Sequence, residues 1–351
     1  MRIGNIIYHL PQNLLHLIDR RPGFILPNLL LTEHCTQRCL QCNIPEKVTR
    51  DSQMTFENMK TIAGKLSSYG TQGISISGGE PLSHPDLLPI LTYLSEQRFA
   101  FLHLLTNLYS REKLIDDLID LVIEKQIHLT TSFDGFDQVA DTLRGANQVS
   151  MRVMEAIEKL HRKNLSARRK IHTRATVVIS QMNIHQIPEI LRYFEGIGWE
   201  VSVDLYRFSS RNHNDVEGLK FTDQKQLSEV LQLCKASPVV ITPHYLIDGF
   251  IYYFKGDYKK MCPYLSSPVV SSKFYIHPNG NVFVCIGDKV GNLLEQSPAE
   301  ILASETWKER LEEIRSCRGC WNTCYTTFGR KAFLFETASR LRKVSHQRKR
   351  R

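Results

Sequence analysis

Between residues 27 and 206, six short apolar runs rich in β-branched or aromatic residues alternate with segments of helical period, and no other feature narrows the fold so far. Runs at 28–32, 73–77, 101–106, 128–133, 173–180 and 200–206 read as strands. Helices are expected between them near 55–68, 85–98, 111–125, 149–163 and 184–197, with Thr55 and Asn183 as caps. Repeated strand-helix units build a parallel sheet covered by helices. Six units are too few for a closed eightfold barrel, so the expected fold is α/β, a partial (β/α)6 TIM-like barrel. Chemistry in such barrels gathers at the C-terminal strand ends. That rule alone nominates Cys35, Cys39 and Cys42 after the first strand and Gly78, Gly79, Glu80 and Pro81 after the second. Asn107 follows the third strand, and Asp134 with Gly135 the fourth.

Beyond a helical stretch near 222–234 the pattern changes to short strands and turns. Residues 274–276 and 281–285 read as a hairpin, with Asn279-Gly280 supplying the positive φ angles of its turn. Helices follow at 297–304, with Ser297 as cap and Pro298 at the first position, and at 305–315. A small C-terminal β-hairpin/helix domain is therefore expected. The division read from the chain is an N-terminal extension at 1–26, the barrel at 27–225, the C-terminal domain at 226–328 and a basic tail at 329–351.

A chain of 351 residues that is 42% hydrophobic and 23% charged has globular composition. No stretch reaches the eighteen or so apolar residues of a membrane span, and the first residues mix Asn, Gln, His and Pro into their apolar run, unlike a signal peptide. The expected location is cytoplasmic. In a reducing compartment nine cysteines point to metal or redox chemistry, and eight fall into two tight groups. The ninth, Cys234, lies among apolar helical neighbours and reads as a packing thiol. Of the net charge of +9, residues 330–351 carry +8, so the body is nearly balanced. The tail reads as a solvated end, with contact to an acidic partner or membrane surface as the alternative and only weak grounds for nucleic acid.

Three thiolates at spacings of four and three, on a loop leaving a strand, can wrap three corners of a cubane and leave the fourth iron open. A structural zinc site, with His34 as fourth ligand, is the alternative. The segments HCTQRCLQC at 34–42, ISGGEPLSHPDL at 76–87, LLTN at 104–107, SFDG at 132–135, LRG at 143–145 and ATVVISQMNIHQIPEIL at 175–191 resemble the successive signatures of the radical S-adenosylmethionine superfamily. That resemblance implies a [4Fe-4S] cluster on Cys35, Cys39 and Cys42, with S-adenosylmethionine chelating the open iron. Reductive cleavage there yields a 5′-deoxyadenosyl radical that abstracts hydrogen from a substrate. It further implies cosubstrate contacts at Gly78, Gly79, Glu80 and Pro81, where missing Cβ atoms let a ligand approach. Asn107, Ser132, Asp134 and Arg144 are the remaining implied contacts, Arg144 toward the carboxylate.

Cys262, Cys285, Cys317, Cys320 and Cys324 form the second group. Five ligands permit one auxiliary [4Fe-4S] cluster, with structural zinc as alternative. The stretch from FYIHPNGNVFVC to the final CxxCxxxC resembles the twitch, a reduced form of the SPASM auxiliary-cluster domain. By that resemblance Cys262, Cys285 and Cys317 are ligands, while Cys320 and Cys324 compete for the fourth place. Sulfatase-maturing relatives carry an acid immediately after the cysteine matching Cys285; here Ile286 follows, which disfavours that reaction. The 26 residues ahead of the first strand are too few for a peptide-recognition domain of usual size, so the balance leans to oxidation or rearrangement of a small metabolite over maturation of a peptide. A non-catalytic metal-binding protein is the alternative of another class. A flavodoxin or ferredoxin is the expected reductant. Cys234, Tyr206, His244, Tyr245 and Asp248 carry transferable hydrogens but read as structural, and no catalytic residue is assigned.

Overall fold

The computed structural model describes residues 24, 26–49, 52–207, 214–254, 274–285 and 287–316. The strands are β1 (Asn28–Leu30), β2 (Gly73–Ser77), β3 (Phe101–Thr106), β4 (His128–Ser132), β5 (Thr173–Ile179), β6 (Glu200–Leu205), β7 (Phe274–Ile276), β8 (Asn281–Val284) and β9 (Lys289–Asn292). They form one sheet in the order β6-β5-β4-β3-β2-β1-β7-β8-β9. The first six are parallel, as the alternating pattern requires. The C-terminal hairpin continues this sheet: β7 lies parallel to β1, and β8 and β9 follow antiparallel. The sheet stays open, with β6 and β9 at its edges.

The helices are α1 (Phe56–Tyr69), α2 (Leu87–Glu96), α3 (Glu112–Glu124), α4 (Asp137–Arg144), α5 (Val149–Ser166), α6 (Ile187–Ile197), α7 (Gln224–Ala236), α8 (His244–Phe254), α9 (Pro298–Ala303) and α10 (Glu305–Ser316). Thr55 caps α1 by accepting from the Asn58 N–H, and Gly70 at φ 93° ends it. The helix expected over 184–197 begins as a 3-10 turn, Ile184–Gln186, and becomes α6 only at Ile187. Pro188, which lacks an N–H, sits in the first turn of α6. The eight-residue α4 has no counterpart in the sequence reading, because Asp134-Gly135 before it reads as a turn. Ser297 and Glu300 form the capping box of α9.

In the hairpin turn only Gly280 takes positive φ, at 81°; Asn279 does not. Gly280 N–H donates to the His277 carbonyl, and the Asn279 side chain accepts from the Asn281 N–H. With His277 N–H donating to the Asn281 carbonyl, the loop is three residues long, Pro278-Asn279-Gly280, ending in a left-handed glycine, in place of the two-residue form expected.

Strand alternation sorts the sheet into two faces. Leu29, Ile74, Ile76, Leu102, Leu104, Leu129, Ala175, Val177, Val201 and Val203 pack with the helices into one buried core that also takes in Phe274, Val282 and Val284. The opposite face is largely polar. Register sets Asn28 beside Ser75, Ser75 beside His103, Thr130 beside Arg174, and Thr176 beside Ser202. The edge of β6 is covered by residues 239–242, where the Thr242 hydroxyl accepts from the Val203 N–H and donates to the Val203 carbonyl. Lys65 of α1 donates to the carbonyls of Leu294 and Gln296, and Phe24 stacks on Phe274, so the hairpin unit is packed onto the barrel. Among the described residues no helix is long and apolar enough to cross a membrane.

Candidate functional site

The loop carrying Cys35, Cys39 and Cys42 is strapped on two sides. On one side pairing runs on past β1 and β2: Gly79 N–H donates to the Thr32 carbonyl at 2.6 Å and Glu80 N–H to the His34 carbonyl at 2.8 Å. A Cβ on Gly78, whose φ is 153°, would lie 2.2 Å from the Thr32 oxygen, and one on Gly79 would lie 2.4 Å from the His34 oxygen. The glycine pair is thus demanded by the chain's own backbone, whatever else approaches it. On the other side Arg38 N–H donates to the Arg144 carbonyl at 3.0 Å and Leu40 N–H to the Leu143 carbonyl at 2.9 Å. Gly145, at φ 57°, turns the chain there; a Cβ on it would meet the Arg38 oxygen at 2.2 Å.

All three cysteines are free thiols and half-buried. Burial pushes the Cys35 thiol up to about 12, and neighbouring Cys39 and Cys42 add to the rise. Cys39 and Cys42 are raised by burial as well, and Cys39 further raises Cys42. Three sulfurs that repel one another as thiolates form a donor set that calls for a cationic centre. Among the described residues no three His, Cys, Asp or Glu side chains are grouped to hold a single metal ion. A cubane asks for something different, three sulfurs at separate corners, and Cys35, Cys39 and Cys42 are three half-buried thiols on one loop. His34 is exposed.

The other nominated residues lie at the same strand ends, held by one another. Glu80 is buried and caps the 3-10 turn Pro81–Ser83 by accepting from the Leu82 N–H. It also accepts from the Thr106 hydroxyl at 2.5 Å and the Asn107 N–H at 2.6 Å, tying the end of β2 to the end of β3. Burial raises its carboxyl to about 7 against the pull of these donors. The Asn107 side chain accepts from the Tyr109 N–H. Ser132 ends β4 and pairs in register with Thr176. Asp134 accepts from the Val178 N–H at 2.7 Å and forms an ion pair with Arg144 at 2.5 Å, both side chains being nearly inaccessible. Burial raises the Asp134 carboxyl, with Arg144 the main opposing influence. The Arg144 Nη1 also reaches Cys39 Sγ at 3.9 Å.

Several participants escaped the sequence reading. Thr106 stands in the quoted LLTN but went unassigned. Asn183, expected as a helix cap, donates to the carbonyls of Asp134 and Val178 and accepts from the Ser180 N–H, so it joins the ends of β4 and β5. Glu33 and His277 meet across the sheet with no local signal in either segment.

Of the second cysteine group, Cys262, Cys317, Cys320 and Cys324 lie outside the described residues. Cys285 follows β8 in the left-handed region, at φ 56°. Arg310 of α10 donates to the preceding carbonyl, that of Val284. Cys234 is fully buried in α7 and its thiol is pushed by burial to about 12. The Tyr206 hydroxyl is occupied, donating to the Asn214 carbonyl and accepting from the Val216 N–H. Asp248 pairs with Lys235, and His244 is exposed.

Residues 29–194 match the Radical SAM superfamily, and residues 268–321 match an iron-sulfur cluster-binding domain. The chain thus carries a Radical SAM domain followed by a C-terminal iron-sulfur cluster-binding domain, a pairing that implies a [4Fe-4S] cluster with S-adenosylmethionine and an auxiliary iron-sulfur cluster. It is similar to the PqqA peptide cyclase of Bradyrhizobium diazoefficiens, 27% identical over 181 residues, which are 50% of this chain and 43% of that protein. The chain therefore spans less than half of that relative. The GTP 3',8-cyclase of Aquifex aeolicus is 22% identical over 317 residues, 86% of this chain and 95% of the relative. Streptococcus suis SuiB bound to S-adenosylmethionine shares the fold, with TM-score 0.64 at 16% identity over 89% of this chain and 72% of that one.

Proposed function

We propose that this protein is an enzyme that cleaves S-adenosylmethionine reductively and abstracts a hydrogen atom from a substrate held at the barrel mouth. The observation that carries the reading is the strapped loop, which brings three half-buried free thiols to the strand ends of a radical SAM domain. Cys35, Cys39 and Cys42 would hold the cluster. When bound, the cluster and cosubstrate together supply a carbon-centred radical. The chain's part is to fix the loop between β2 and α4, to hold Glu80 and Asn107 rigidly beside it, and to exclude water with the buried strand ends. Gly78, Gly79, Glu80, Pro81, Asn107, Ser132, Asp134 and Arg144 remain the residues we assign to the cosubstrate's surroundings. Cys262, Cys285 and Cys317, with Cys320 or Cys324, are our ligands for the auxiliary cluster. The domain limits 1–26, 27–225, 226–328 and 329–351 are part of the same proposal, as are a cytoplasmic location and a flavodoxin or ferredoxin reductant.

A peptide is the substrate class favoured by the likeness to the PqqA peptide cyclase and to SuiB bound to its precursor peptide SuiA. The small-metabolite reading, toward which the sequence leans, is supported by the GTP 3',8-cyclase alignment over nearly that relative's full length. Anaerobic reconstitution followed by iron, sulfide and 5′-deoxyadenosine assays tests the activity. Replacing Cys35, Cys39 and Cys42 together by alanine is expected to remove about four irons and all deoxyadenosine. Product from the triple variant would overturn the reading. Stimulation of wild-type turnover by peptides or by small molecules separates the two substrate classes.

A further inference from the structure

We propose that Arg144 is a positioning residue that donates to the Cys39 thiolate and, aimed by Asp134, sets how readily the catalytic cluster accepts an electron. The inference rests on Cys39 being a cluster ligand, as proposed above. Arg144 Nη1 lies 3.9 Å from Cys39 Sγ, within reach of a sulfur acceptor. Its Nη2 is 2.5 Å from Asp134 Oδ2, and the two side chains are 10% and 1% exposed. The aiming carboxylate is itself fixed, since Asp134 Oδ1 accepts from the Val178 N–H and its backbone carbonyl accepts from Asn183. The arginine is fixed too, because its carbonyl accepts from Arg38 N–H on the cysteine loop. The fork itself is buried and held between the Asp134 carboxylate and the Cys39 sulfur.

A buried cation donating to a ligand sulfur withdraws charge from the cluster and favours its reduced form, and a carboxylate one step behind opposes this. The two members of the pair consequently have opposite influences on the same centre. Burial magnifies both. The geometry also explains why arginine stands here: its planar fork contacts a carboxylate and a thiolate at once, which a lysine ammonium does with less directional definition.

The experiment is a redox titration of reconstituted protein without S-adenosylmethionine, following the EPR signal that disappears in the triple variant of Cys35, Cys39 and Cys42. Arg144→Met is expected to shift that midpoint to more negative potential and Asp134→Asn to more positive potential, with iron and sulfide content retained. Arg144→Lys should return the midpoint close to wild type. Should Arg144→Met fail to fold, Asp134→Asn still gives the sign, and a wild-type-like midpoint in Arg144→Lys still shows that a cation at this place suffices. Unchanged midpoints, or shifts of one sign in both variants, overturn the inference. Failure of wild-type protein to assemble the EPR-active cluster would instead defeat the functional reading on which it rests.

Discussion

His277 Nδ1 stands 3.2 Å from Glu33 Oε1, a contact between residues 244 positions apart. It exists because β7 lies in parallel register beside β1, pairing Tyr275 with Asn28 and Ile276 with Leu29. The residue leaving β7 thereby meets the segment that enters the cysteine loop. Glu33 also accepts from the Ser52 hydroxyl at 2.5 Å. The C-terminal unit is thus tied to the barrel two residues ahead of Cys35. Since both side chains are partly exposed, a double-mutant cycle of Glu33→Gln and His277→Ala is expected to give a coupling of about 0.5–1 kcal/mol in chemical denaturation. Strict additivity of the two substitutions would show that the contact contributes nothing.

Gly145→Ala would place a methyl 2.2 Å from the Arg38 carbonyl oxygen at a φ of 57°. The left-handed conformation alone costs about 1–2 kcal/mol. Backbone must shift in addition, so a loss of roughly 2 kcal/mol or more is expected, together with reduced iron at the first cysteine group. Gly64 in α1 has open space at the same position, so Gly64→Ala should stabilise by about 0.5–1 kcal/mol. Opposite signs in thermal unfolding of the two variants check the pair.

In metal-free folded protein the Cys35 thiol, held up to about 12 by burial, is expected to be alkylated slowly at pH 8. Only about one molecule in ten thousand carries its thiolate there, against roughly a quarter for an unperturbed cysteine. Iodoacetamide labelling of Cys35 should therefore accelerate with pH well beyond 9, with no plateau there. A plateau near 8.5 would contradict the buried setting. Loading iron should protect the residue altogether.

The Tyr193 hydroxyl is buried without a hydrogen-bond partner among the described residues, although its ring packs against Phe133, Phe136 and Phe194. Burial raises its ionisation to about 12. Tyr193→Phe keeps the ring and removes the stranded group, so it is expected to be neutral or to stabilise by up to about 1 kcal/mol. A destabilisation larger than that in denaturant titration would reveal a partner for the hydroxyl.

Alternating apolar runs and helical periods were enough to specify six parallel strands, because periodicity is a local property written into neighbouring residues. The same holds for the Thr55 and Ser297 caps, whose partners lie three residues away. The cysteine spacing and the strand-end rule nominated Cys35, Cys39, Cys42, Gly78 to Pro81, Asn107 and Asp134, while Ser132 and Arg144 came only with the resemblance to a known family. Tertiary structure alone decided how those residues are used. Gly78 and Gly79 receive the Thr32–His34 backbone, Arg144 is turned toward both Asp134 and Cys39, and Glu33 meets His277. The parallel joining of β7 to β1 belongs to the same category. Each depends on segments brought together from distant positions, where the deciding quantities are backbone clearance and the burial of charge. Neither quantity leaves a periodic trace in the chain, so the sequence determined which elements form and which residues gather, and packing determined what each one touches.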